Sequence, residues 1–407
     1  MNAVSVDAAP EDDIEKCARS LPPQPLPAPP LPPQVRRRVL RPVPERGFPA
    51  FEDDLDRAGL LLAIGRTRAF WSSQPPQRSV ELGARRTTAD HLLRSLAALE
   101  ATLAVHGDGA SLRAALQARF DLFEAVATDG KPEGTITGYY SPEIPVSARP
   151  SSLSVPIHAR PADLIKIPPG RGAGFDYGRR RPDGGFEPYF SREEIYRGAL
   201  RGQGLELLWT PHPTDLLVLQ IQGSGWAVFP DGSRRRLFFN GANGRRFRSV
   251  GQALIRCGFL PPGTSSPGIL AYLKSQPPDR EARMVNLNPR YTFLKIGEDS
   301  GDPFGASGVR LVDGRSVAVD PDAVPLGLPG FLVSKRPTAD RTGRLTGYRG
   351  FSRFIFTHDI GSAIRGPTRV DLYWGSGPQA ETEAHHMLFP GRMYIFLLKD
   401  SPGRIQE

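Results

Sequence analysis

Residues 353–366 read RFIFTHDIGSAIRG, an apolar run that ends on an acid, Asp359, and passes directly into a glycine turn at Gly361. Bulky aromatic and β-branched residues suit a pleated, half-buried surface, so Arg353–Asp359 reads as a strand. Glycine just beyond it lets backbone approach a ligand closely. Asp371 follows within VDLYWG (370–375), where Tyr373 and Trp374 are candidate sugar-stacking rings. A carboxyl group near apolar rings has its pKa raised, which keeps a general acid protonated near neutral pH. An aspartate at a strand end is also a common turn-former, and spacing alone leaves both readings open.

Working outward, the same texture recurs. Thr135–Tyr140 (TITGYY), Arg315–Asp320 (RSVAVD) and Arg392–Leu398 (RMYIFLL) read as further strands. Asp215–Gly225 (DLLVLQIQGSG) alternates, with Val218, Gln220, Gln222 and Ser224 on one face and Leu217, Leu219 and Ile221 on the other. Gly170–Gly185 reads as a loop, and Ser191 with Glu194 forms a capping box. The 43 glycines spread along the chain point to many turns. Short strands with little helix between them favour a barrel or sandwich over a doubly wound sheet.

Before this β region, Leu92, Leu96, Leu99 and Leu103 recur at helical spacing, as do Leu112, Leu116, Phe120 and Phe123, with Ser111 as N-cap of the second helix. Residues 1–50 carry the Pro-rich run Leu21–Pro33 and read as a disordered tail, dispensable for folding. Domains are expected at 1–50 (tail), 51–154 (helices and first part of the main domain), 155–285 (an inserted β-rich domain) and 286–407.

With 407 residues, 39% hydrophobic and 23% charged, the composition is that of a globular protein. A net charge of +9 suits either plain solubility or an anionic partner. The arginines are scattered and no zinc-finger, P-loop or RRM pattern occurs, which disfavours nucleic acid. Of the two cysteines, Cys17 falls in the tail and Cys257 follows an apolar helical pattern as a buried thiol, so no disulfide framework or CxxC metal site is expected. No apolar run is long enough to span a bilayer, and no signal peptide or lipobox is visible before Cys17.

Two further patterns could carry chemistry. Gln220 and Gln222 on one face suit hydrogen bonding to sugar hydroxyl and N-acetyl groups, or a solvated edge strand. Asn240–Gly251 (NGANGRRFRSVG) marks a turn before a helix, with Asn243 and Ser249 as ligand contacts or as turn and N-cap residues. The histidines form no HExxH, and Gly223–Ser224–Gly225 lacks the GxSxG elbow.

The runs TGYYSPEIP (137–145), PYFSREEI (188–195), LQIQGSG (219–225), NGRRFRSVG (243–251), RSVAVDPDAVPLG (315–327) and HDIGSAIRGPTRVDLYWGSG (358–377) together resemble the membrane-bound lytic murein transglycosylase A family. Ser362 departs from the family's second glycine. The resemblance covers about residues 130–400. It implies a mainly β fold: a double-psi β-barrel split in sequence by a smaller inserted β-rich domain, with N-terminal helices and a glycan groove between the two domains. It implies non-hydrolytic cleavage between N-acetylmuramic acid and N-acetylglucosamine, leaving 1,6-anhydro ends. Asp359 would be the acid–base group and Asp371 its catalytic aid. Thr137, Tyr139, Tyr140, Gln220, Gln222, Ser224, Asn243, Asp320 and Trp374 would bind substrate, with no metal or cofactor. The partners expected are peptidoglycan strands and proteins of wall synthesis or division, for a monomer in the cell envelope (periplasm, outer-membrane associated). A hydrolytic muramidase with two working carboxylates and a non-catalytic wall-binding module are the alternatives.

Overall fold

The computed structural model describes residues 13–22, 31–107, 109–152, 154–168, 175, 177–297, 301–361 and 363–400. The chain divides into two compact units, one of residues 27–140 and 301–407, the other of residues 1–26 and 141–300. The second unit interrupts the first in sequence at 141 and 300, wider than the 155–285 expected for the insert that the resemblance implies.

In the first unit six strands close a barrel: β1 (Gly134–Ser141), β2 (Ser316–Val319), β3 (Pro329–Ala339), β4 (Leu345–Ile360), β5 (Val370–Ser376) and β6 (Leu388–Leu398). The order is β6-β3-β4-β2-β5-β1, and β1 pairs back onto β6. β2 runs parallel to β4, whereas β3–β4, β3–β6, β2–β5 and β1–β6 are antiparallel. Closure removes the exposed edges that an open sheet would present. The fold class is therefore the mainly β, sequence-split barrel expected from the resemblance.

Phe51 packs against Phe331, Phe354 and Phe396 at centroid distances of 5.0, 6.2 and 5.5 Å. Beside it, the acidic run around residue 53 pairs with two buried guanidinium groups. Arg353 forks onto Asp54 through two 2.8 Å bonds, and one Arg315 nitrogen meets both Asp53 oxygens at 2.9 and 2.6 Å. Buried charges persist only when paired in this way.

Helices Arg57–Ser72 and Ala89–Val105 flank the barrel strands, with Asp56 and Thr88 as N-caps. The next helix, Ala110–Arg119, is capped by Gly109 rather than Ser111, whose hydroxyl bonds His106 instead. It stops before Phe120. Phe120 and Phe123 belong to a strand, Phe120–Ala125, paired with β6. Their helical spacing was coincidental, because a strand buried on both faces also carries apolar residues at such intervals.

The second unit has a four-stranded sheet ordered Thr292–Ile296, Arg234–Ala242, Gly225–Val228 and Glu143–Pro145. Its core gathers Ile144, Ile157, Leu216, Leu237 and Phe293. Two expectations fail here, and another holds only in part. Pro213–Gln222 is a helix, not a strand, with Pro213 in its first turn and Gly223 at φ 85° ending it. Leu216, Leu217, Leu219 and Gln220 are all buried, and a helix apolar nearly all round fits alternation as well as its own period. The turn expected before a helix is present at Asn243–Gly244, and Ser249 caps the helix Val250–Arg256 as expected, but Asn240–Gly241 lies within a strand.

The second failure concerns the tail. Asp13–Ser20 is a helix whose Ile14 and Ala18 are buried against Leu217, Val250 and Met284, and Cys17 forms a disulfide with Cys257. Farther on, Leu40–Pro42 pairs with Phe120–Ala125. Residues 1–50 are thus not a uniform disordered tail. Eight of the thirteen residues of the Pro-rich run lie outside the described residues, as does part of the expected Gly170–Gly185 loop, within which Tyr177–Arg180 is a strand. A disulfide spanning 240 residues leaves no local trace in spacing.

Candidate active site

The barrel register brings the acids together. Ala318 in β2 is opposite Asp359 in β4 on one side and Asp371 in β5 on the other. Adjacent strands lie about 4.8 Å apart, so the two Cα atoms flank one small residue at about 10 Å.

β1 supplies a donor to each. Thr137 donates its hydroxyl to Oδ1 of Asp371 at 2.5 Å, and Tyr139 donates its phenol to Oδ2 of Asp359 at 2.9 Å. Residues two apart on a strand share a face, which is why TGY delivers both donors to one side. The other oxygen of Asp359 accepts the Ala306 amide at 2.9 Å.

Burial is the largest influence on Asp359 and raises its pKa, against the bonds from Ala306, Ile360 and Tyr139, which favour the ionised form. Asp371 is pushed up to about 6 by burial, opposed by the Thr137 bond and the Arg369 charge, while the Asp359 charge pushes it further up. Tyr139 is raised well above its ordinary range, first by burial and then by the adjacent Asp359 charge, so it stays a donor. Each carboxyl thus keeps its proton to higher pH than usual, a condition that suits a general acid.

Three groups that sequence reasoning missed hold this arrangement. His358 is buried, meets Thr67 at 2.9 Å and Ser316 at 2.8 Å through its two ring nitrogens, and is pushed down to about 3 by burial, hence neutral. Ser307 bonds the His358 carbonyl through both its amide (3.0 Å) and hydroxyl (2.7 Å). A Cβ on Gly305 would stand 2.4 Å from that same carbonyl. The tripeptide Gly-Ala-Ser at 305–307 therefore lies flat on β4, and only its glycine could have signalled this.

Other expected site residues serve elsewhere. Tyr140, on the opposite face of β1, is buried and donates to Glu381 at 3.1 Å. Asp320 accepts the Gly366 amide at 2.7 Å and so braces the turn after Asp359; Ser362, within that turn, lies outside the described residues. Trp374 and Tyr373 are buried, so neither is a sugar-stacking surface. Trp374 donates to the Met387 sulfur, and the guanidinium of Arg353 lies 5.4 Å from its ring.

In the second unit, Gln220 is buried with its amide on the Thr292 carbonyl at 2.7 Å. Asn243 is fully buried, donating to the carbonyls of Phe190 and Pro289 and accepting from Tyr291 and Arg245. Both are structural contacts. Gln222 ends the Pro213–Gln222 helix, and Ser224 follows it, each half-buried.

Residues 135–295 match the MltA specific insert domain, and residues 315–397 match the 3D domain. The chain is 30% identical over 309 residues to membrane-bound lytic murein transglycosylase A of Escherichia coli K12, covering 75% of this chain and 76% of that protein. It is 29% identical over 301 residues to the protein of that name from Vibrio cholerae, 73% of each chain. Among solved structures, a membrane-bound lytic murein transglycosylase from Agrobacterium tumefaciens is 30% identical, with a TM-score of 0.69 over 88% of this chain and 97% of that one. Escherichia coli MltA with bound chitohexaose shares the fold at 24% identity, with a TM-score of 0.67 over 89% of this chain and 95% of that one.

Proposed function

The chain belongs to the membrane-bound lytic murein transglycosylase A family, and on that premise we propose that it cleaves peptidoglycan glycan strands with Asp359 as the single acid–base residue. The observation that carries this reading is the environment of Asp359: a half-buried carboxyl at a barrel strand end, with raised pKa and both oxygens held by donors.

Protonated Asp359 gives its proton to the oxygen linking N-acetylmuramic acid to N-acetylglucosamine, and the bond from that oxygen to the anomeric carbon breaks. The 6-hydroxyl of the same muramic acid attacks that carbon. Its proton passes to the ionised Asp359, which restores the acid and leaves a 1,6-anhydro end. Water is not consumed. Hydrolytic glycosidases need a second carboxylate to activate water or to attack. Here an internal nucleophile held in place substitutes for it. The donors from Tyr139 and Ala306 stabilise the carboxylate formed midway, and Asp371 orients Thr137 and sets the local charge.

The family name and the Cys17–Cys257 disulfide both favour the cell envelope, since such bonds persist in oxidising compartments. No helix among the described residues is long and apolar enough to cross a membrane. Proteins of wall synthesis and division, which work on the same strands, are its candidate partners. Mass spectrometry of purified sacculi incubated with the protein tests the reading: anhydro-muramic ends are expected, and products with free reducing ends would establish a hydrolase instead.

A further inference from the structure

The register between β2 and β4 slips by one residue next to the acid. Ser316 and Val317 stand opposite Phe356 and Thr357, but Ala318 and Val319 stand opposite Asp359 and Ile360, so His358 is an extra residue in β4. Such a bulge re-aims the side chains that follow it, because a shift of one residue moves them to the other face of a sheet. Without the bulge Ala318 would stand opposite His358, and Asp359 would stand opposite Val319, on the other face from Asp371. With it, Ala318 has Asp359 on one side and Asp371 on the other. The donors from β1 agree with a shared face. Thr137 reaches Asp371 and Tyr139 reaches Asp359, and the two donors are two apart on one strand.

The bulge residue is held at both its carbonyl and its ring. The carbonyl accepts the Ser307 amide at 3.0 Å and hydroxyl at 2.7 Å. The ring lies 5.8 Å from that of Phe356, inclined by 20°. Its two nitrogens meet Thr67 and Ser316, and the neighbours of these hydroxyls assign the roles. Thr67 gives its hydroxyl proton to the Ala63 carbonyl at 2.6 Å, so it accepts from Nε2. Burial keeps the ring neutral, which leaves Nδ1 as an acceptor. Ser316, whose oxygen takes the Val312 amide at 2.8 Å, donates to it. The imidazole with its proton on Nε2 therefore ties the helix Arg57–Ser72 to β2 through the bulge.

We propose that His358 is the positioning residue of the reaction, the fixed bulge that turns the Asp359 carboxyl onto the face of Asp371 and into reach of the Tyr139 and Ala306 donors. This rests on Asp359 being the acid–base group. An apolar side chain would fill the same buried space without the cost of desolvating two ring nitrogens. What the imidazole adds is direction: its bonds fix the extra residue against a helix and a strand, while Ser307 fixes its carbonyl. His358 acts through Asp359 rather than on the glycan.

The test compares His358→Leu, His358→Gln and Ser307→Ala in the full chain, by kinetics on purified glycan strands and by melting. His358→Leu keeps an apolar filling without the polar atoms. Its kcat should fall about 10²-fold with KM within about twofold, the loss expected when an acid is misplaced by about 1 Å. His358→Gln, whose amide offers a donor to Thr67 and an acceptor to Ser316, should recover most of that loss. Ser307→Ala removes one of two bonds to the carbonyl at a half-buried residue, so kcat should fall severalfold at an almost unchanged melting temperature. That variant keeps the proposal testable if His358→Leu folds poorly. Nitrogen-15 NMR of the wild-type chain should show His358 neutral with its proton on Nε2. Wild-type kcat in Ser307→Ala and His358→Leu overturns the proposal, as does a raised KM with kcat kept, or a proton on Nδ1. A crystal structure of His358→Leu reads the geometry apart from the chemistry. The Asp359 carboxyl should leave the Ala306 amide, and an unmoved carboxyl overturns the positioning role. A wild-type rate in Asp359→Asn would instead sink the acid–base reading.

Discussion

The phenol of Tyr139 and the amide of Ala306 each lie 2.9 Å from a different oxygen of Asp359, one from β1 and one from the strip Gly305–Ser307. The carboxyl is therefore oriented from two segments more than 160 positions apart, as the numbering of Tyr139 and Ala306 shows. Both bonds favour the ionised acid, yet burial prevails and its pKa is raised.

Asp359→Asn should abolish turnover while the fold and glycan binding persist. The amide is nearly isosteric and cannot deliver a proton at neutral pH. A loss of about 10²–10⁴-fold or more is expected, since one residue performs both proton transfers. Asp371→Asn should cost less. Release of anhydro products by Asp359→Asn at near wild-type rate would remove Asp359 from the mechanism.

Gly305→Ala should reduce kcat with only a modest fall in melting temperature. Its Cβ would sit 2.4 Å from the His358 carbonyl and 2.7 Å from Leu311, which lifts the strip and its Ala306 amide off Asp359. Losing a bond that favours the carboxylate raises the acid's pKa further. The basic limb of the kcat profile should move to higher pH, and an unmoved limb would show that Ala306 does not tune the acid.

Asp371 should make stability depend on pH in a defined direction. Its folded pKa, about 6, lies above the unfolded value of 3.8, so between these the native state holds a proton that the unfolded chain has lost. Stability then falls as pH rises through that window, by at most about 3 kcal/mol. Asp371→Asn should lose this component, which thermal melts of both proteins between pH 4 and 7 would reveal as a converging or reversing difference.

Cys17→Ser, or reduction of the Cys17–Cys257 bond, should lower the stability of the inserted unit by about 2–5 kcal/mol. The bond closes a loop of 240 residues and holds the helix that buries Ile14 and Ala18. Melting curves with and without reductant check this. An unchanged transition would mean that the apolar contacts alone hold the helix.

Gln220→Ala should destabilise by about 1–3 kcal/mol, because the Thr292 carbonyl it bonds would be left buried without that donor. Glycan affinity measured well below the melting temperature should be unchanged. Weaker binding at full stability would return Gln220 to the substrate site.

Four of the six barrel strands were legible, because runs such as FIFTHD (354–359) and YIFLL (394–398) combine β-forming side chains with turn residues at their ends, whereas Pro329–Ala339 and Val370–Ser376 were not read as strands. Asp359 was legible for the same reason, as an acid at a strand end followed by glycine. The helix at Pro213–Gln222 was not, because burial nearly all round erased the difference between its period and that of a strand. Trp374 was misread as a stacking ring, since nothing local to VDLYWG tells a buried indole from an exposed one.

Local side-chain chemistry and turn residues, which act over a few positions, were enough to read several of the β segments and the acid that ends Leu345–Ile360. Tertiary structure alone decided that Ala318 separates Asp359 from Asp371, that β1 supplies a donor to each, and that Cys17 meets Cys257. Those relations depend on register, barrel closure and contacts across hundreds of residues, and the free energy that fixes them belongs to the packed fold rather than to any segment.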